Sequence, residues 1–133
     1  MINRTARYGL RAVAYLARRP DQFQLAAEVA AATRLPRPYL AKVLKALSEA
    51  GVLVSRKGPG GGFRLARPPR RLSLASVVTP LEDSRDADRC LLGRNRCRSG
   101  APCPAHRHWL PVIATYRRFL AATSVADLLG SRG

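Results

Sequence analysis

Three thiols and an imidazole fall close together in this 133-residue sequence, as Cys90-x6-Cys97-x5-Cys103-x2-His106. Thiolate and imidazole both bind soft or borderline metal ions, so their spacing decides which centre they suit. Structural zinc sites pair cysteines as C-x2-4-C, because one tight turn then presents two ligands. No such pair occurs here. Wider spacing in a glycine-containing loop suits wrapping around a larger object, an iron–sulfur cluster, whose irons take thiolates and sometimes imidazole. Spacing alone leaves zinc or another metal, and plain redox or inert cysteines, as alternatives. His106 is favoured over His108, because it lies three residues after Cys103 and within reach of the same centre.

The second stretch with chemical potential is RKGPGGGFRLAR, residues 56–67. A nucleotide-binding P-loop needs a Lys-Ser/Thr pair and a following helix, so that backbone N–H groups face the phosphates. Phe63-Arg64-Leu65-Ala66 follows instead, and it has the character of a strand. A plain hairpin connection is the competing reading. Against it stand the cations around the loop, Arg56, Lys57, Arg64 and Arg67. Gly58, Pro59, Gly60 and Gly61 then form the tip of a basic hairpin, where glycine lets the backbone approach another backbone closely. No catalytic arrangement is present: the carboxylates are isolated, or clustered in the stretch from Glu82 to Asp88, which has the composition of a solvated linker.

The charge supports a polyanionic partner. Lys and Arg number 24 against 8 Asp and Glu, for a formal charge of +16. Residues 1–81 carry 15 of those cations and only 3 carboxylates. Arg supplies 21 of the 24, so base composition of the genome is a competing source of part of the excess. Hydrophobic residues make up 47%, enough for a core in one domain with a short appendage. No apolar run approaches the roughly 18 residues of a membrane-spanning helix. MINRTARYGL lacks the apolar centre of a signal peptide, and three cysteines are an odd number for a disulfide framework. The expectation is a cytoplasmic protein with no membrane partner.

The elements that must position these groups follow from periodicity. Tyr8, Ala12, Tyr15 and Leu16 recur at helical spacing from Thr5 until Arg18-Arg19-Pro20. Leu25–Ala32 is alanine-rich and stops at Thr33-Arg34-Leu35-Pro36. A third helix starts with Pro38 in its first turn, carries Tyr39, Leu40, Val43, Leu44 and Leu47, and ends near Gly51. Its other face shows Arg37, Ala41, Lys42, Lys45 and Ser48. Two short helices joined by a tight turn, the second with a cationic face, match a helix-turn-helix. Residues 52–56 and 62–66 pair as a hairpin, the wing, and Leu72–Leu81 forms a closing helix capped by Ser73. Beyond residues 82–104, Trp109, Val112, Ile113, Tyr116 and Leu120 give a strong helical stripe, interrupted by Pro111. That stripe has no evident place on a core already closed, which predicts a dimerisation helix rather than one folded back on its own domain. The fold class expected is mainly α with a small β-hairpin: a winged helix-turn-helix domain over 1–81, a cysteine-bearing loop over 82–104, and a dimerisation helix with a C-terminal segment over 105–133.

In this order the segments resemble the Rrf-two family of bacterial regulators over nearly the full length. ARYGLRAVAYLA, GPGGGFRLARP, SLASVVTPLE and CPAHRHWL carry the resemblance. It implies a homodimer on a palindromic double-stranded DNA operator. It also implies an iron–sulfur cluster on Cys90, Cys97 and Cys103 whose state changes DNA binding. In the IscR-like branch the fourth ligand is a histidine placed as His106 is. In the NsrR-like branch it is an aspartate where this chain has Arg7. The departure favours 2Fe-2S over 4Fe-4S ligation, while YGLRAVAYLA is at least as similar to the NsrR-like branch, which leaves 4Fe-4S open. Ala41 stands where the IscR-like branch has a glutamate that tunes operator class, so operator sequence does not carry over. The expected DNA contacts are Arg37, Tyr39, Lys42 and Lys45 from the third helix and Arg56 to Gly61 from the wing. The alternative is a cluster-free regulator of the same family, controlled by a partner protein or by direct cysteine redox or metal binding.

Overall fold

The computed structural model describes residues 2–82 and 105–130, the His106 side chain excepted; Cys90, Cys97 and Cys103 lie outside the described residues. Helix α1 (Arg4–Leu16) begins at Asn3, whose side chain accepts from the Ala6 N–H at 2.7 Å and donates to the Leu81 carbonyl at 3.3 Å. The cap thus both starts the helix and ties it to the far end of the domain. Ala6, Gly9, Ala12, Val13 and Leu16 form its buried face, leaving Arg4, Arg7, Arg11 and Arg18 outside. Gly9 lets Leu81 pack close, since a Cβ there would meet Leu81 Cδ1 and that side chain would have to shift.

Helices α2 (Ala26–Thr33) and α3 (Arg37–Glu49) form the helix-turn-helix. Between them Arg34 adopts a left-handed conformation with φ 60°, and the Leu35 N–H reaches back to the Ala30 carbonyl. That pattern closes α2, although glycine is the residue that usually takes the position. Leu40, Val43, Leu44 and Leu47 bury one side of α3, and Gly51, at φ 83°, turns the chain after it.

Strands β1 (Leu53–Arg56) and β2 (Gly62–Leu65) pair antiparallel in the register Leu53↔Leu65, Val54↔Arg64, Ser55↔Phe63 and Arg56↔Gly62. Gln24 adds a short third rung, exchanging backbone hydrogen bonds of 2.9 and 2.8 Å with Phe63. The rung explains Gly62: a Cβ there would lie 2.2 Å from the Gln24 carbonyl oxygen. Gly61 is buried, and a Cβ on it would meet the Arg56 carbonyl at the same distance. The hairpin's own backbone therefore requires these two glycines.

Helix α4 (Leu74–Val78) starts at Ser73, whose Oγ accepts from the Ser76 N–H, and runs into a 3-10 turn at Thr79–Leu81 where Pro80 tightens the chain. It is shorter than the predicted Leu72–Leu81 helix for that reason. Helix α5 (His106–Ala122) passes through Pro111 and is followed by a 3-10 helix at Val125–Leu129. Its C-terminal end packs on α4, and Leu120 and Val125 are buried in the same core as Leu44 and Val77. The Leu74 N–H to Thr123 carbonyl and Val125 N–H to Leu72 carbonyl bonds, at 2.8 and 2.7 Å, stitch this segment to the closing helix. The expected stripe therefore divides. Leu120 and Tyr116 pack on the chain's own core, whereas Val112, with Leu110 and Phe119, is exposed.

Candidate nucleic-acid interface

The outer face of α3, the wing and the N-terminal end of α2 enclose an open groove of about 760 Å³. Arg37, Ala41, Lys45 and Ser48 line it from α3, spaced so that each lies about one further turn along the helix. Arg56, Lys57 and Gly58 line it from the wing, and Leu25 to Ala27 from the start of α2. The α2 N-terminus has no side-chain cap. Glu49 is the one carboxylate among the described lining residues. Four cations against one anion around an open groove suit a polyanionic backbone.

The remaining candidate residues fall around this groove. Lys42 is exposed on α3 beside it, and Pro59 and Gly60 are exposed at the tip of the wing. Gly58 and Gly60, with φ 86° and 73°, make the turn, and the Gly61 N–H donates to the Gly58 carbonyl at 3.0 Å. Tyr39 lies on the other flank of α3, 37% exposed, where the Tyr8 ring packs edge-on against it at 5.3 Å. Its hydroxyl is hydrogen-bonded to the Thr5 hydroxyl. Tyr39 is thus a side chain fixed by α1 at the entry to the recognition helix. Two groups escaped the sequence reading. Leu25 is 49% exposed at the mouth of the groove, and Phe23 holds the arginines of the wing, with Arg56 and Arg64 at 4.3 and 4.9 Å from its ring centroid.

The cysteine centre borders the described structure. His106 is the first residue of α5. Glu82, the last described residue before the loop, accepts from the Tyr116 hydroxyl at 3.2 Å. Burial, then the Glu82 charge and that hydrogen bond, push the Tyr116 phenol from 10.0 up to about 12. The two ends of the loop are thereby both tied to α5. Among the described residues no group of three His, Cys, Asp or Glu side chains could hold a metal, and no helix is long and apolar enough to cross a membrane.

A helix-turn-helix with a glycine-tipped basic wing defines a DNA-binding winged helix, and the comparison with known proteins makes it specific. The chain belongs to the Rrf2 (Rrf-two) family, described as "Iron-dependent Transcriptional regulator", which it matches over residues 2–131. An HTH-type transcriptional regulator of Aquifex aeolicus strain VF5 is 37% identical over 94% of this chain and 88% of its own length. The HTH-type transcriptional regulator IscR of Aliivibrio salmonicida is 32% identical over 68% of this chain and 54% of its own. Among solved structures, CymR, the global cysteine regulator of B. subtilis, superposes with TM-score 0.78 at 24% identity, covering 97% of this chain and 95% of its own. The winged helix-turn-helix fold expected from the sequence is the observed one, and the chain belongs to a family of transcription regulators, not of enzymes.

Proposed function

We propose that the chain acts as a homodimer on a palindromic operator, and that an iron–sulfur cluster on Cys90, Cys97, Cys103 and His106 controls its grip. In this reading residues 1–81 bind DNA, 82–104 hold the cluster and 105–133 dimerise. Helix α3 enters the major groove through Arg37, Tyr39, Lys42 and Lys45, and the wing enters the adjacent minor groove through Arg56 to Gly61. The observation that carries the DNA contact is the groove between α3 and the wing, with four cations and one carboxylate on its described walls. Dimerisation is supported by α5, where Leu110, Val112 and Phe119 are 48, 45 and 51% exposed. An apolar surface of this kind suits a second copy.

The donor set fits an iron–sulfur cluster. Three thiolates and an imidazole match mixed Cys–His ligation, and the family is described as iron-dependent. Arg7, exposed on α1, is a cation and cannot serve as the aspartate-type ligand of the other branch, which supports 2Fe-2S over 4Fe-4S. When bound, the cluster supplies iron–thiolate bonds that respond to redox state and to cluster supply. The chain transmits their state through its own residues. Glu82 is bonded by its N–H to the Val78 carbonyl at 3.0 Å and by its carboxylate to Tyr116, while the Ala105 carbonyl accepts from the His108 and Trp109 N–H groups. A linked equilibrium between cluster binding and DNA binding then shifts operator affinity.

Absorbance and an iron-to-sulfide ratio on anaerobically purified wild type and His106→Ala test the cluster. Iron and sulfide in equal amounts, with an altered spectrum in His106→Ala, is the expected result. Colourless, iron-free protein whose regulated DNA binding survives Cys97→Ala would instead support a cluster-free regulator controlled by a partner protein.

A further inference from the structure

We propose that Arg56, Arg64 and Phe23 form a phosphate clamp on the outer face of the wing, which holds the far backbone of the minor groove. The inference rests on the DNA-binding reading above. Hairpin register builds the cluster. Val54 stands opposite Arg64 and Arg56 opposite Gly62, so the two arginines project from one face of the ribbon as diagonal neighbours. Gly62 puts no side chain between Arg56 and the rung beyond β2, so the Arg56 side chain crosses to Phe23. Its guanidinium carbon lies 4.3 Å from the Phe23 ring centroid, and that of Arg64 lies 4.9 Å away. Phe23 is itself fixed to the wing, since its neighbour Gln24 is paired with Phe63 through both backbone hydrogen bonds.

An aromatic face attracts a guanidinium, but two guanidiniums on one ring repel each other. Among the described residues neither has a carboxylate partner, and the buried Arg64 Nε has no hydrogen-bond partner. The buried Nε is out of reach of a ligand, but the two guanidinium groups, gathered by an apolar ring and without a carboxylate, match the oxygens of a phosphate. Geometry selects a DNA phosphate. Ser55 and Phe63 line the groove beside α3 from the other face of the hairpin, and Arg56, at the end of β1, borders both the groove and the outer face. With α3 in the major groove, the opposite face of the wing meets the second wall of the minor groove. Arg56 and Arg64 make the contact, and Phe23 is a positioning residue that acts through them.

The test is operator affinity across a salt series, on a duplex that the wild-type protein selects from a randomised pool. Arg64→Gln is expected to weaken binding several-fold and to lower the salt slope by about 0.9, one phosphate contact. Phe23→Leu, which keeps apolar bulk but removes the ring face, is expected to match it, and Phe23→Trp to restore binding. The double variant Phe23→Leu with Arg64→Gln is expected to lose less than the product of the single losses. Wild-type affinity and slope in Arg64→Gln, on a duplex where Lys45→Ala does weaken binding, would overturn the clamp and leave the DNA reading intact. A wild-type protein that selects no duplex would overturn both. Inorganic phosphate, titrated into the DNA-free protein, separates the sources: saturable binding lost in Arg64→Gln would assign the site to a free anion instead.

Discussion

The two halves of the molecule solve burial in opposite ways. In the winged helix, apolar residues at helical spacing are almost all inside, and the surface left to α1, α3 and the wing is cationic. In α5 only the C-terminal end joins the core, through Tyr116 and Leu120, while Leu110, Val112 and Phe119 stay exposed. The first half folds on itself and offers charge outward. The second offers an apolar surface outward, which suits association with another copy. A single chain thus separates a cationic surface, proposed to bind DNA, from an exposed apolar one, proposed to self-associate, with the cysteine segment between them in sequence.

The contrast breaks most directly in stability measurements. Leu44→Ala, at a fully buried position of α3, is expected to cost about 3 kcal/mol in denaturant melts. Leu110→Ala on α5 is expected to change the unfolding free energy by no more than about 0.5 kcal/mol at concentrations where the chain is monomeric. The same substitution should weaken self-association in sedimentation. Equal costs at both positions would erase the distinction. Within the winged half, Gly62→Ala is expected to cost roughly 2 kcal/mol, because its Cβ would collide with the Gln24 carbonyl at a φ of 123°. Loss of the hairpin amide signals in an NMR spectrum would locate the damage.

A smaller effect probes the seam between the halves. Tyr116 stays neutral up to about pH 12 in the folded chain, while an unfolded tyrosine ionises near 10.0. Between those values the unfolded state binds fewer protons, so stability contributed by this group is present below pH 10 and is lost as pH rises toward 12. Glu82→Gln is expected to lower the Tyr116 pKa, as read by phenolate absorbance. The smallest effect is a gain: Arg34→Gly relieves the left-handed backbone at the end of α2 and is expected to stabilise by up to about 1 kcal/mol.

Most of the fold was legible because local rules agreed with it. The Arg37–Glu49 helix announces itself by its Leu40, Val43, Leu44 and Leu47 spacing, and Ser73 caps α4 as its type suggests. The α5 stripe was misdivided because periodicity reports that a face is apolar and not what covers it. Val112 and Leu120 belong to one pattern and meet different surroundings. Glycine at the tip of the wing predicts close approach to another backbone, and for Gly61 and Gly62 that backbone is the protein's own, at Arg56 and Gln24. Gln24 is 39 positions from its partner Phe63, a pairing that no local pattern in the sequence encodes. The same rung brings Phe23 to the wing arginines, so that cluster too is a product of tertiary structure. For the cysteines and His106, spacing and family resemblance are the guides.

The measurement that tests the account most directly is DNA affinity of one anaerobic preparation, before and after its cluster is removed, on the duplex the protein itself selects. The account predicts a palindromic site, salt-dependent binding, and an affinity that changes at least several-fold when the cluster is lost, with Cys97→Ala locked in the cluster-free value. Identical affinity with and without cluster, and in Cys97→Ala, would contradict it.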